Sequence, residues 1–179
     1  MRKLFTILII FLVGFHLGSK YETKKGTDNS DQYPTLSLKS VSIAKSTQAE
    51  KVANLERVFL AYNSPLATQS AYLVGLANRY NLDYRLIPGI AFTESTLCKF
   101  YPAGTFNCFG WGSARIRFSS FEEAEETITK KLATHPYYNS WRQNQNNIGK
   151  LSQTYNGADT QKWTKTVIGF MEEIENANN

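Results

Sequence analysis

Glu94 lies inside the stretch GIAFTESTLCKF, residues 89–100, on what reads as the buried face of a helix. Leu86, Ile90, Glu94 and Leu97 follow one another at spacings of four, four and three, the repeat of a single helical face, so the carboxyl falls on the apolar stripe rather than opposite it. Poor solvation disfavours the charged form of a carboxyl and raises its pKa. Such a group holds a proton near neutral pH and can deliver it to a leaving-group oxygen. The competing reading is a structural glutamate paired to an arginine such as Arg79 or Arg85, or one that reaches solvent at the helix edge. Position alone leaves both open.

Two further residue sets could do chemistry. Cys98 and Cys108 are the only cysteines. They can close one disulfide in an oxidising compartment, pack as two small buried thiols, or, as a separate function class, supply a nucleophile with His135 as its base. A zinc site is not expected, because His135 is the one histidine outside the N-terminal leader and two thiols with one imidazole fall short of four ligands. Around Trp111, the glycines at 110 and 112 let a backbone approach a ligand closely, and the indole can stack on the apolar face of a sugar or fill a core. No cofactor is expected.

These residues must be positioned by elements that the rest of the chain supplies. Residues 1–19 combine Arg2 and Lys3 with an uncharged apolar run from Leu4 to Phe15, the layout of a secretory signal peptide, either cleaved or retained as an N-terminal anchor. Residues 20–50 are rich in Ser, Thr, Lys and Asp and read as a solvated linker. From 51 to 176 the pattern is that of one mostly helical domain. Val52, Leu55, Val58 and Phe59 mark a first helix, and Ser64 with Pro65 opens a second running to about Tyr80. Asp83 is expected to cap a third helix, with Pro88 costing a backbone bond near its start. After a glycine-containing loop, the alternating ARIRF run at 114–118 predicts a short strand or hairpin arm. Ser119 and Ser120, three residues before Glu122 and Glu123, open a helix to about Ala133. A short helix at about 148–154 and a last one at about 160–175, with Trp163, Val167, Phe170, Met171 and Ile174 facing the core, complete the expectation of some six helices.

The strings AFTEST, TFNCFGWG and TYNGAD, with a tryptophan in the helix that follows, resemble the lysozyme-like superfamily over roughly residues 70–175. The likeness is nearest to bacterial endo-β-N-acetylglucosaminidase domains, with a second likeness to soluble lytic transglycosylases. The resemblance implies a lysozyme-like, mainly α (α+β) fold with a small β element after the catalytic helix. It implies Glu94 as the catalytic acid of an E-S pair, with Ser95, Asn107, Phe109, Gly110 and Tyr155 lining or facing the cleft; Trp111 joins them on the stacking argument above. Tyr155 would bond to Glu94 or to substrate, or belong to a structural Tyr-Asn-Gly turn. Asn107 would donate to an N-acetyl carbonyl or satisfy its own turn.

The substrate implied is peptidoglycan or a related N-acetylglucosamine-containing glycan, met by a monomer outside the cytoplasm. Of the formal net charge of +5, Arg2 and Lys3 carry two, leaving +3, with no clustered basic face that would suggest nucleic acid. Contact with a membrane is expected only through a retained leader. Glycosidases normally work with two acids, and a second one is hard to find. Glu122 and Glu123 are explained as helix caps, Glu125 and Glu126 as solvent-exposed, and Asp159 is a thin candidate. One acid suits a transglycosylase as well as a glucosaminidase, and a non-catalytic wall-binding domain would keep the cleft without turnover.

Overall fold

The computed structural model describes residues 46–145 and 147–178, so the expected leader and residues 20–45 of the expected linker lie outside the described residues. The chain enters helix α1 (Gln48–Ala61) through a reciprocal cap. Thr47 accepts from the Glu50 N–H (3.2 Å), and the Glu50 carboxylate accepts from the Thr47 N–H (2.6 Å). The T-x-x-E pattern starts the helix at Gln48, three residues ahead of the expected domain boundary.

Ser64 and Pro65 open a single 3₁₀ turn, Pro65–Gln69, before α2 (Ser70–Tyr80) begins. Asp83 does not cap the next helix. It folds its carboxylate onto the Arg85 N–H (3.0 Å) and guanidinium, and α3 (Leu86–Ser95) follows. Pro88 therefore sits in the first turn, where its missing N–H has no intrahelical partner to lose.

α3 is the central helix, with Leu86, Ile87, Pro88, Gly89, Ile90 and Ala91 all buried. It runs antiparallel to α7 (Thr160–Glu175): Arg85 pairs with Glu175 at one end (3.0 Å), Gly89 meets Val167 in the middle, and Glu94 meets Trp163 at the other end. Gly89 makes this approach possible. A Cβ there would stand 3.2 Å from both the Val167 side chain and its carbonyl oxygen. Phe92 stacks on Phe170 with ring centroids 4.2 Å apart. Phe170 is buried and Phe92 partly so, and each fully buried side chain of the pair, such as Ile90, Val167 and Phe170, contributes about 1.5–3 kcal/mol, which makes this helix pair a principal part of the core.

Around it stand α4 (Phe121–Thr134), packed on α2, and the four-residue α5 (Asn139–Arg142), followed by α6 (Ile148–Tyr155), packed on α7. The domain is mainly helical, and no strand occurs among the described residues. The strand expected at 114–118 is absent for a visible reason. Gly112, Ser113 and Ala114 coil at φ 60°, 58° and 59°, and the extended residues after them make one backbone bond to the facing segment, Phe118 N–H to the Thr105 carbonyl (2.8 Å). The Ile116 carbonyl is taken instead by the Asn107 side chain (2.9 Å). A side chain has replaced the ladder bond that a second strand would have supplied.

Candidate active site

Glu94 occupies the last turn of α3 and is half-buried. Directly after it the chain does something uncommon: Thr96, Leu97 and Cys98 are all left-handed, at φ 53°, 56° and 62°. For L-residues this costs about 1–2 kcal/mol each, so other contacts must hold the turn. Leu97 is buried, and its carbonyl accepts from the Ser64 hydroxyl (2.8 Å). Cys98 is joined to Cys108 by a disulfide, with no free cysteine among the described residues. The Ser95 hydroxyl donates to the Cys108 carbonyl (2.7 Å) and accepts from the Cys98 N–H (3.0 Å). Ser95 is thus a staple between the helix end and the facing loop, 5% exposed and without a free hydrogen-bonding direction toward a cleft.

The facing loop is built around Asn107, which is 1% exposed. Its amide donates to the carbonyls of Trp111 (2.8 Å) and Ile116 (2.9 Å), and its oxygen accepts from the Trp111 N–H (3.0 Å). Of the two roles open to Asn107, the turn-forming one is what this geometry uses. Phe109 is wholly buried, and its carbonyl accepts from the Tyr155 hydroxyl (2.6 Å). Tyr155 therefore spends its hydroxyl on the loop rather than on Glu94. Burial first, then the Glu94 charge, keeps that phenol well above its ordinary pKa, and it remains a donor.

Gly110 carries the loop across the glutamate. At φ 66°, with a hypothetical Cβ only 2.4 Å from Glu94 Oε2, the position accepts glycine alone. The other carboxyl oxygen, Oε1, accepts from the Trp163 indole N–H at 2.7 Å. Burial raises the Glu94 pKa above the ordinary carboxyl value, and the indole bond opposes part of the rise. Among the described residues no salt bridge reaches it: Arg79 is engaged by Glu126 (3.1 Å) and Arg85 by Asp83 and Glu175.

Rings extend from this point. Trp163 lies 5.5 Å from Tyr155, Tyr155 lies 5.7 Å from Trp111, and Trp111 stacks at 6.4 Å on Tyr138. A cavity of ≈270 Å³ is lined by Trp111, Gly112, Tyr138 and Tyr155. The concavities of ≈580 and ≈910 Å³ are larger, but they lie along α7 toward the start of α3 and toward α6 and include none of these residues. The smaller one reaches Glu94 through its lining residue Tyr155, whose ring lies 5.5 Å from that of Trp163, the indole bonded to the carboxyl.

The candidates for a second acid are occupied elsewhere. Glu122 accepts from Gln69 (2.8 Å), and Glu123 closes on Ser119, which holds its carboxyl below the ordinary range. Glu126 bonds Tyr72 and Arg79, and Asp159 caps α7 through the Lys162 N–H (3.1 Å). Glu125, expected to be exposed, is instead 0% exposed, with neither carboxyl oxygen partnered. Desolvation pushes its pKa up to about 9.

Two site residues were not anticipated as such. Trp163 was expected only as core, although an indole on an apolar face brings an N–H that needs an acceptor. Tyr138, in the irregular HPYYNSW stretch, carried no periodic signal. Among the described residues, no group of His, Cys, Asp and Glu could hold a metal ion. Scans against protein-family models, curated proteins and solved structures each find no match to this chain.

Proposed function

We propose that this protein cleaves the glycan backbone of peptidoglycan, with Glu94 as the general acid, as the likeness of its sequence to the lysozyme-like superfamily implies. The observation that carries the reading is the setting of Glu94. It is a half-buried carboxyl whose pKa is raised by burial, with one oxygen held by Trp163 and the other laid against Gly110 beside an aromatic cavity. That combination favours the protonated carboxyl of a general acid and offers ring faces on which a sugar can stack. In the first step the Glu94 proton passes to the glycosidic oxygen, the C1–O bond breaks toward that oxygen, and positive charge develops at C1.

An endo-β-N-acetylglucosaminidase would complete the reaction with water. A lytic transglycosylase would complete it with a hydroxyl of the substrate, whose proton returns to the Glu94 carboxylate as C1–O bonding forms. The second reading is favoured by one observation: among the described residues, the candidate second acids Glu122, Glu123, Glu126 and Asp159 are bonded elsewhere. The cysteine mechanism loses its nucleophile with both thiols in one disulfide. Action on a wall polymer places the chain outside the cytoplasm, tethered or released according to the fate of its leader. No helix among the described residues is long and apolar enough to cross a membrane.

The test is clearing of a peptidoglycan zymogram by the parent protein and its Glu94→Gln variant. Clearing that survives the substitution removes Glu94 from the mechanism, and no clearing by the parent leaves a wall-binding domain. Mass spectrometry of the digest then separates the chemistries: anhydro-muramyl ends for transglycosylation, reducing N-acetylglucosamine ends for the glucosaminidase.

A further inference from the structure

We infer that Trp163 is a positioning residue that decides which oxygen of Glu94 carries the proton, an inference that rests on Glu94 being the acid. The indole N–H is a donor with no accepting capacity. Its partner at 2.7 Å, Glu94 Oε1, must therefore be an acceptor in either protonation state. In the neutral acid the carbonyl oxygen is the stronger acceptor, so this bond favours the proton on Oε2, the oxygen that lies against Gly110. A half-turn of the carboxyl would put the hydroxyl oxygen, the weaker acceptor, against the indole N–H.

The surroundings make this constraint effective. Trp163 is 4% exposed on the face of α7 that meets α3, and its ring packs beside that of Tyr155, so the indole cannot swing away from the carboxyl without opening the helix pair. The antiparallel α3–α7 contact, closed at Gly89, sets the height at which the indole meets the last turn of α3. The loop turns at Gly110 in a left-handed conformation and lies against Oε2, on the carboxyl's other side from the indole. Among the described residues, the titratable group coupled to Glu94 is Tyr155. Its hydroxyl is committed to the Phe109 carbonyl, and it stays protonated throughout the range in which a carboxyl titrates.

The N–H also follows the reaction. Once the proton has left Oε2, the same bond becomes charge-assisted and stabilises the carboxylate that results. Trp163 thus orients the acid before transfer and supports its conjugate base after it.

The decisive measurement is a pH titration of the Trp163 indole N–H resonance in the full ¹⁵N-labelled chain, assigned by its loss in Trp163→Phe. The resonance is expected to shift with the same midpoint as the alkaline limb of the cleavage rate, and to stay flat in Glu94→Gln. In Trp163→Phe, kcat is expected to fall about 10- to 100-fold with KM little changed, as for loss of a hydrogen bond to a charged group. The alkaline limb moves upward by about one pH unit, because the lost donor no longer stabilises the carboxylate. A role in packing alone would lower thermal stability without moving that limb.

A Trp163 resonance that ignores pH while the parent retains its alkaline limb overturns the inference. So does a folded Trp163→Phe with parental kcat and limb. If Trp163→Phe fails to fold, the indole resonance is assigned by exclusion from Trp111→Phe and Trp141→Phe spectra or by through-bond experiments on the parent, and the parent and Glu94→Gln titrations then decide. Failure of the glycan-cleavage reading is distinct: no clearing by the parent, or clearing by Glu94→Gln, while the indole titration is read without turnover.

Discussion

Glu94 on α3 and Glu125 on α4 are two carboxyls that folding removes from water, and they end in opposite conditions. Glu94 is half-buried at a helix end, bonded at one oxygen and laid against a glycine at the other. Glu125 is fully buried within its helix, with both oxygens unpartnered. Burial is the leading cause of a raised pKa at both. Desolvation alone therefore does not make a site. What distinguishes Glu94 is a neighbour that orients it and a cavity beside it, whereas Glu125 has the stronger perturbation and nothing to deliver a proton to.

The largest expected effect breaks the comparison on the catalytic side. Glu94→Gln should lower the rate of glycan cleavage by ~10²–10⁴-fold, the usual weight of a general acid, with little change in thermal unfolding. Glu125→Gln should leave cleavage at neutral pH close to parental. A Glu125 variant that loses cleavage while folded would show that the two carboxyls are not separate.

The next effect belongs to Glu125 and is one of stability. Its carboxyl titrates near 4.5 when unfolded and about 9 when folded. Between those values the folded state binds the extra proton, so this contribution is complete below the unfolded pKa and is lost as pH rises toward 9. The slope is about 1.4 kcal/mol per pH unit from this one group. Chemical denaturation at pH 5 and pH 8 should show that decline in the parent and a flatter profile in Glu125→Met, which removes the unpartnered oxygens. Equal slopes in both proteins would mean that Glu125 finds a partner in solution. The charged neighbour to control for is Glu122, which adds to the shift; Tyr72 is also affected by Glu125.

A third effect concerns how the surroundings of Glu94 are held. The left-handed turn behind it is fixed by the Cys98–Cys108 disulfide, whereas Glu125 is held by helix packing alone. Replacing both cysteines by alanine should cost about 3 kcal/mol on chain-entropy grounds for a loop this short. Cleavage should fall as well, because the Gly110 segment is no longer tied to the end of α3. A thermal melt and a zymogram on the same variant separate the two outcomes, and retained cleavage would show that Ser95 and Asn107 suffice to align the loop.

The sequence made a helix start legible where Ser120 closes on the Glu123 backbone, whereas the Thr47–Glu50 cap inside the expected linker went unread and α1 begins ahead of the expected boundary. It made Glu94 legible for the same reason that it should have made Glu125 so. Glu125 stands three residues before Ile128 and four before Thr129, both buried, and the EEAEE composition around it hid that register. The ARIRF alternation suggested a strand, but Ala114 is left-handed and the Ile116 carbonyl bonds the Asn107 side chain where a second strand would have paired. Ser95, Asn107 and Phe109 were legible as belonging to the site, yet not as its inner supports, because whether a polar side chain faces a ligand or its own loop depends on backbone turns that local pattern does not encode. The Trp163 bond to Glu94 spans 69 residues and follows only from how α3 and α7 cross.

The smallest effect sharpens the comparison most. Gly110→Ala places a Cβ 2.4 Å from Glu94 Oε2 on a backbone at φ 66°, so it meets both strain and the acid itself. Gly104→Ala meets a comparable backbone, φ 68°, but its nearest neighbour at 3.2 Å is the far end of the exposed Arg117 side chain. Both substitutions should cost about 1–2 kcal/mol of stability for the left-handed conformation. Only Gly110→Ala displaces the carboxyl, and a misplacement on the order of 1 Å at a reacting group lowers the rate by roughly 100-fold. Matched losses in unfolding free energy with divergent cleavage rates are therefore expected. Matched losses in both would mean that the loop carries the glutamate with it as it moves, and that Trp163 alone fixes where the proton points.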